Sequence, residues 1–218
     1  MNTLLEINPS ILPGTDLHAA PSRPTFLNTV FEENSVLEQK ELTPQLVTDD
    51  SLLKEVYDLR LNVWEHSGNT EFVNRNLYPD GWYDELDETA YHWIVINDEN
   101  KIIASARLNL FYSFADFPYH LSVQNFLLPQ KWPFAFYSRL VVHPDYRQKG
   151  LSRKLFNARA AFCKQIGVQW SQVFINNPAI MCQFEKSGFV NIGKAQVAYH
   201  PSADAHSVNV LIKNDEDF

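Results

Sequence analysis

Leu140–Ser152 constrains this chain more than any other stretch. The continuous apolar run Leu140-Val141-Val142 is followed at once by His143-Pro144-Asp145-Tyr146 and then by Arg147-Gln148-Lys149-Gly150-Leu151-Ser152. An unbroken apolar run is what the end of a fully buried strand requires. The Pro-Asp pair turns the chain. Leu151, Leu155, Ala158, Phe162 and Ile166 then recur at helical spacing up to Gly167, which suits a helix C-terminus. A helix start offers N–H groups with no intrahelical partner, and the helix dipole adds a positive field. Gly150 permits close backbone approach. Arg147, Lys149, Arg153 and Lys154 bring positive charge to an otherwise acidic chain. Such a terminus can cradle a diphosphate. The same residues also make an ordinary strand–turn–helix with a solvated basic turn, and alone they do not choose between the two. The pattern is not a P-loop, which needs G-x-x-x-x-G-K-[ST].

The rest of the chain supplies the frame. Leu42–Val47 suits a strand, and Pro44 places it at an edge. Thr48 or Asp49 caps a helix to about Trp64, with Leu52, Val56, Leu59 and Val63 on its buried face. Tyr91–Ile96 and Ile102–Leu110 form a hairpin across Asn97–Asn100. Residues 111–131 are an aromatic, Pro-interrupted excursion with room for a short helix. Phe134–Val142 and Val168–Ile175 are strands; Asn177 caps a helix that begins at Pro178 and ends at Gly188. Phe189–Tyr199 and Ser207–Lys213 finish as strands. A strand–helix–strand–helix–strand centre implies an α/β (α+β) fold on a mixed sheet. Residues 1–40, with Pro9, Pro13, Pro21 and Pro24, read as an irregular arm, and 41–218 as one domain.

The net charge of −8 argues against a nucleic-acid partner. No run approaches the ~18 apolar residues of a membrane span, and Met1–Gly14 lacks the basic start of a signal peptide. Cys163 and Cys182 sit among apolar neighbours, as reduced core cysteines do. The expected location is the cytoplasm. The seven histidines form no metal-ligand pattern, so no metal is expected.

Arg147–Ser152 is similar to the [RQ]-x-x-G-x-[GA] signature of the GNAT (Gcn5-related N-acetyltransferase) superfamily, with Ser152 at the last small position. Asn177 to Phe189 resembles that family's second motif, N-x-x-A followed by Y-E-K-x-G-F. Asn177 stands at its Asn, Ile180 at its Ala, and Phe184 at its Tyr. The resemblance covers about Leu42 to Lys213 and is strongest over Leu140–Phe189. It implies a central mixed, largely antiparallel twisted sheet flanked by helices on both faces. It also implies acetyl-CoA or another acyl-CoA as cosubstrate, no metal, and transfer to a primary amine by direct attack on the thioester. The pantetheine arm would pair with Leu140, Val141 and Val142 like an added strand. The diphosphate would meet Arg147, Gln148, Lys149, Gly150, Leu151, Ser152 and Arg153, and Asn177 and Phe184 would flank the thiol. The implied acceptor is a small-molecule or protein amine, and members of the family often form homodimers.

Two features depart from the family. Phe184 replaces a tyrosine that acts as general acid, and Phe134–Val142 holds no carboxylate base. The catalytic groups are therefore unassigned, with Tyr137, His143, Asp84 and Asp87 as candidates, alongside Ser138, Tyr146 and Glu85. Arg60-Leu61-Asn62-Val63-Trp64, Asp84 with Asp87, Ala106-Arg107-Leu108 and Ser138-Arg139-Leu140 resemble elements of acyl-homoserine-lactone synthases. Trp82 and Phe136 stand where those have glutamates. This second resemblance implies kinship with long-chain N-acyl transfer. The plainer alternatives are a helix-surface salt bridge for Arg60 and a solvated loop for Asp84 and Asp87. A further reading is a CoA-binding module without catalysis. The aromatic set Tyr112, Phe114, Phe117, Tyr119, Phe126, Trp132, Phe134 and Phe136 is expected in the core or a lid, with an acyl or substrate pocket as the alternative.

Overall fold

Period-two runs of Val, Ile, Phe and Trp need a sheet to bury them. The computed structural model describes residues 41–68, 73–200 and 203–215, so the arm expected over 1–40 lies outside the described residues. The strands are β1 (Gln45–Leu46), β2 (Tyr91–Ile96), β3 (Ile102–Phe111), β4 (Phe134–Val142), β5 (Trp170–Ile175), β6 (Val190–Val197) and β7 (His206–Asn214). They form one sheet in the order β1-β2-β3-β4-β5-β7-β6. Every neighbouring pair is antiparallel except β4 and β5. The helices are α1 (Leu53–Glu65), α2 (His120–Val123), α3 (Leu151–Gln165) and α4 (Pro178–Glu185).

Each face of the sheet is covered because side chains alternate along each strand. Trp93, Val95, Tyr137 and Val173 pack beneath α3 and α4 with Leu151, Leu155, Phe156 and Phe184. On the opposite face, Ile94, Ile102 and Val141 meet Val56, Leu59 and Val63 of α1. Phe111, Phe117, Phe134, Phe136 and Trp170 make an aromatic cluster beside them. Phe117 and Phe134 are core, as the plainer reading expected, whereas Tyr112 is exposed and Tyr119 and Phe136 also line a cleft, as the alternative held.

Element ends differ from the sequence expectation where local chemistry decides. The first strand shrinks to Gln45–Leu46, since Pro44 has no N–H to pair. Asp49 caps a 3-10 turn at Asp50–Leu52, accepting from the Ser51 N–H at 2.9 Å, and α1 starts only after it. The 111–131 excursion contains α2, a single turn.

Two features at β4 position the site. Its parallel pairing with β5 runs from Phe134↔Trp170 to Tyr137↔Val173 and stops there, although β4 continues to Val142. Against β3 the register shifts: Arg107 faces Ser138 but Ser105 faces Val141, so Arg139 and Leu140 oppose the single residue Ala106. This is a β-bulge, which bends a strand and raises its twist. Arg139 takes φ +51° there, in the left-handed region. The two strands splay apart beyond the bulge.

The closed end of the splay is held by Phe134, whose ring stacks on Trp170 at 4.4 Å and has no exposed surface. Phe134→Ala should cost roughly 3–5 kcal/mol in urea unfolding, while an exposed change such as Leu127→Ala should cost almost nothing.

Candidate active site

A cleft of about 980 Å³ runs through the splay and joins the two faces of the sheet. On the α3/α4 side its walls include Val142, Arg147, Gly150, Arg153, Asn177 and Gln183. On the α1 side they include Trp64, Trp82, Tyr119, Phe136, Tyr199 and His206. Leu140 and Val141 line the passage between.

The cradle expected from the sequence lies at one mouth. Gln148 (φ +63°) and Gly150 (φ +74°) are both left-handed, an alternation that gathers successive N–H groups around a concavity. Gly150 is the N-cap of α3 and makes no side-chain cap bond, so the first N–H groups of the helix are offered to a ligand. A Cβ built on Gly150 would meet nothing within 4 Å. Arg147 donates through Nε to the Val142 carbonyl at 3.4 Å, and Lys149 Nζ lies 4.7 Å over the Tyr146 ring. Ser152 bonds Gln183 Oε1 at 3.2 Å, tying α3 to α4. Asn177 accepts from the N–H groups of Ala179 and Ile180, at 3.0 and 3.2 Å, and so starts α4 at the edge of the cleft. These residues fit a diphosphate ester with an extended arm.

At the bulge the structure builds a charged network that sequence reasoning glimpsed only in pieces. Arg60 of α1 donates to Asp87 at 2.7 Å, and both side chains are wholly buried. Arg107 of β3 reaches Asp84 at 2.5 Å and Asp87 at 2.9 Å, and donates through Nε to Ser138 Oγ at 2.9 Å. Arg139 donates to the other oxygen of Asp84. Asp84 and Asp87 also form the capping box of the 3-10 turn at Glu85–Asp87. Burial pushes the Asp84 carboxyl up, but Arg139 and then Arg107 outweigh it and hold it well below the usual range. Burial likewise opposes Asp87, and Arg60 and Arg107 prevail. The solvated loop expected around Asp84 and Asp87 is therefore corrected: both are interior ion-pair partners. Arg60 is also interior, not a helix-surface salt bridge. Arg139 is stacked, its guanidinium carbon 4.0 Å from the Trp82 ring centroid and 5.0 Å from that of Tyr199.

His92 completes the network. Its Nδ1 lies 3.0 Å from the Arg60 donor Nη2, so Nδ1 accepts and Nε2 carries the proton, toward the Asp87 carbonyl. Burial, then Arg60, pushes its pKa down to about 4, against the pull of Asp87.

The other sequence candidates fall in different places. The Tyr137 ring lines the cleft, but its hydroxyl points under α3 to Cys163 Sγ at 3.4 Å. Burial, then Cys163, raises its pKa. His143 is half-buried, caps the 3-10 turn at Pro144–Tyr146 and faces Asp145 at 3.7 Å, outside the cleft. Phe184 lines the cleft and packs edge-on against Phe156 and Phe189, each at 4.9 Å. Among the described residues no group of His, Cys, Asp and Glu is arranged to hold a metal, and no helix is long and apolar enough to cross a membrane. Sequence reasoning missed His206. The alternation His206, Val208, Val210, Ile212 carried the signal, since the valines face the aromatic core.

A family model described as the acetyltransferase (GNAT) family matches residues 53–189. Among solved structures, the N-acyl amino acid synthase FeeM, from uncultured soil microbes, superposes with TM-score 0.59 at 12% identity, over 80% of this chain and 91% of that one. LasI, an AHL synthase, gives TM-score 0.57 at 13% identity, over 78% and 89%. A GNAT-family acetyltransferase from Staphylococcus aureus Mu50 gives 0.54 at 14%, over 80% and 100%. At these identities the likeness is one of fold. No curated protein sequence matches the chain.

Two measurements check this geometry. The His92 pKa of about 4 lies below its unfolded value near 6.5, so the unfolded chain takes up the proton first. The stability this gives is complete above the unfolded value and is lost as pH falls toward 4. Urea unfolding should show roughly 2 kcal/mol less stability at pH 5 than at pH 7, and His92→Gln should flatten that slope. Gly150→Ala should cost only about 1–2 kcal/mol of stability, from its left-handed backbone, yet weaken acetyl-CoA binding at least tenfold by calorimetry.

Proposed function

The chain belongs to the GNAT family of acetyltransferases, and from that premise we propose that it is an acyl-CoA-dependent N-acyltransferase that moves a short acyl group, acetyl first, to the primary amine of a small molecule. The observation that carries the reading is the splay: β4 loses β5 as its partner after Tyr137, beside the uncapped start of α3. On the edge turned away from β3, backbone groups of Leu140–Val142 then have no strand partner and can pair with a pantetheine arm, the Val142 carbonyl exchanging its long 3.4 Å contact with Arg147, while the α3 N-terminus takes the diphosphate. The acyl-CoA supplies an activated thioester carbonyl.

The chain's residues favour direct attack on that carbonyl. Cys163 is buried under α3, and burial raises its thiol to about 11, so it is a poor nucleophile. Ser138 Oγ is held by Arg107. An N–H on β4 beyond the bulge is the natural donor for the oxyanion. The acceptor enters from the α1 side, where Trp64, Trp82, Phe136 and Tyr199 favour an apolar or aromatic body.

The short-acyl reading is supported by Phe184. With Phe156, Phe189 and Tyr137 it fills the space behind the splay, where a longer chain would have to lie. The alternative, a longer acyl group, is favoured by the buried Arg–Asp network and by the likeness in fold to FeeM and LasI. Chain-length profiles decide between them. With a panel of small amines, kcat/KM for acetyl-CoA should exceed that for dodecanoyl-CoA at least tenfold, and Phe184→Ala should narrow the gap. A preference for dodecanoyl-CoA in the unmodified protein would overturn the short-acyl reading.

A further inference from the structure

We propose that His206 accepts the proton of the amine in this cleft; the proposal rests on the N-acyl transfer reading above. The conventional positions are closed to this role. β4 carries no carboxylate, Phe184 carries no proton, and the Tyr137 hydroxyl is turned to Cys163. Asp84 and Asp87 have their oxygens engaged by Arg60, Arg107 and Arg139, and carboxylates so held are very weak bases.

His206 stands elsewhere in the cleft. It opens β7 and pairs with Val197 of β6, and it shares the face of Val208 and Val210, the α1 side. It lines the acceptor half of the cleft beside Tyr199, ring centroids 4.9 Å apart. Of the ionisable groups on this side of the cleft, the Tyr199 phenol belongs to its ring neighbour, the Tyr119 ring lies 6.3 Å from that of Tyr199, and the Arg139 guanidinium carbon lies 5.0 Å from the Tyr199 ring centroid. Burial lowers its pKa, so the imidazole stays neutral and able to take a proton at neutral pH. The phenols cannot compete, because burial raises Tyr119 and takes Tyr199 to about 12.

The step balances. The ammonium of the acceptor gives one proton to the imidazole, which passes it to solvent. The freed nitrogen lone pair forms the C–N bond to the thioester carbon. Collapse of the tetrahedral intermediate breaks the C–S bond, and the second nitrogen proton reaches the departing sulfur through water. The products are the amide, the free thiol and one released proton.

The test compares unmodified protein, His206→Gln and His206→Ala with acetyl-CoA and an amine substrate from pH 6 to 10. His206→Gln should lower kcat/KM at least fiftyfold at pH 7, and the loss should shrink as pH rises and the amine deprotonates unaided. Acetyl-CoA affinity should stay within twofold, because the residue lies on the acceptor side. Imidazole in the buffer should restore part of the His206→Ala rate, which a merely structural role would not allow. His206→Gln turning over within twofold of the unmodified protein with an unchanged pH profile would overturn the proposal and leave the transfer reading intact. Acetyl-CoA binding without turnover by the unmodified protein on any amine would overturn the transfer reading, and the proposal with it.

Discussion

The left-handed backbone of Arg139 is the constraint from which the site follows. A non-glycine residue in that conformation costs of order 1–3 kcal/mol and persists only where its surroundings hold it. Here they do: Asp84 pairs with the guanidinium, and the rings of Trp82 and Tyr199 flank it. The bulge it makes lets β4 run on without β5, and every other feature of the cleft uses that gap. The gap places a free strand edge next to a helix start and connects both to an aromatic pocket on the far face.

The network around the bulge unites elements distant in sequence. Arg60 comes from α1, His92 from β2, Arg107 from β3 and Arg139 from β4, and all converge on the turn holding Asp84 and Asp87. Two carboxylates face three guanidiniums, and the histidine stays neutral. The surplus positive charge lies toward the α1 side of the cleft, in a protein whose net charge is −8. An amine near it is favoured in its uncharged, nucleophilic form.

Much of this was legible in the sequence because local chemistry dictated it. Asn177 and Pro178 signal a helix start, and the apolar run into Arg147–Ser152 fixes the strand, turn and helix at one mouth of the cleft. The bulge was not legible: Ser138-Arg139-Leu140 contains no glycine or proline, and only tertiary contacts force its backbone. The burial of Asp84 and Asp87 was hidden for a similar reason. Acidic residues in a polar stretch read as solvated until their arginine partners arrive from 20 to 55 residues away. His206 was concealed by its neighbours, the polar loop before it masking an alternation that continues through Val208 and Val210.

The arrangement of these charges also limits how the sequence can drift. Removing one member strands an opposite charge in the interior, which costs more than any single contact contributes. Substitutions at Arg60, Asp84, Asp87, Arg107 and Arg139 should therefore be strongly epistatic, harmful singly and tolerable only in compensated sets. Trp64, a half-buried aromatic at the rim of the cleft, carries no such debt and can change alone. A lineage of this protein would thus be free to reshape the rim of its cleft while its charged scaffold stayed locked.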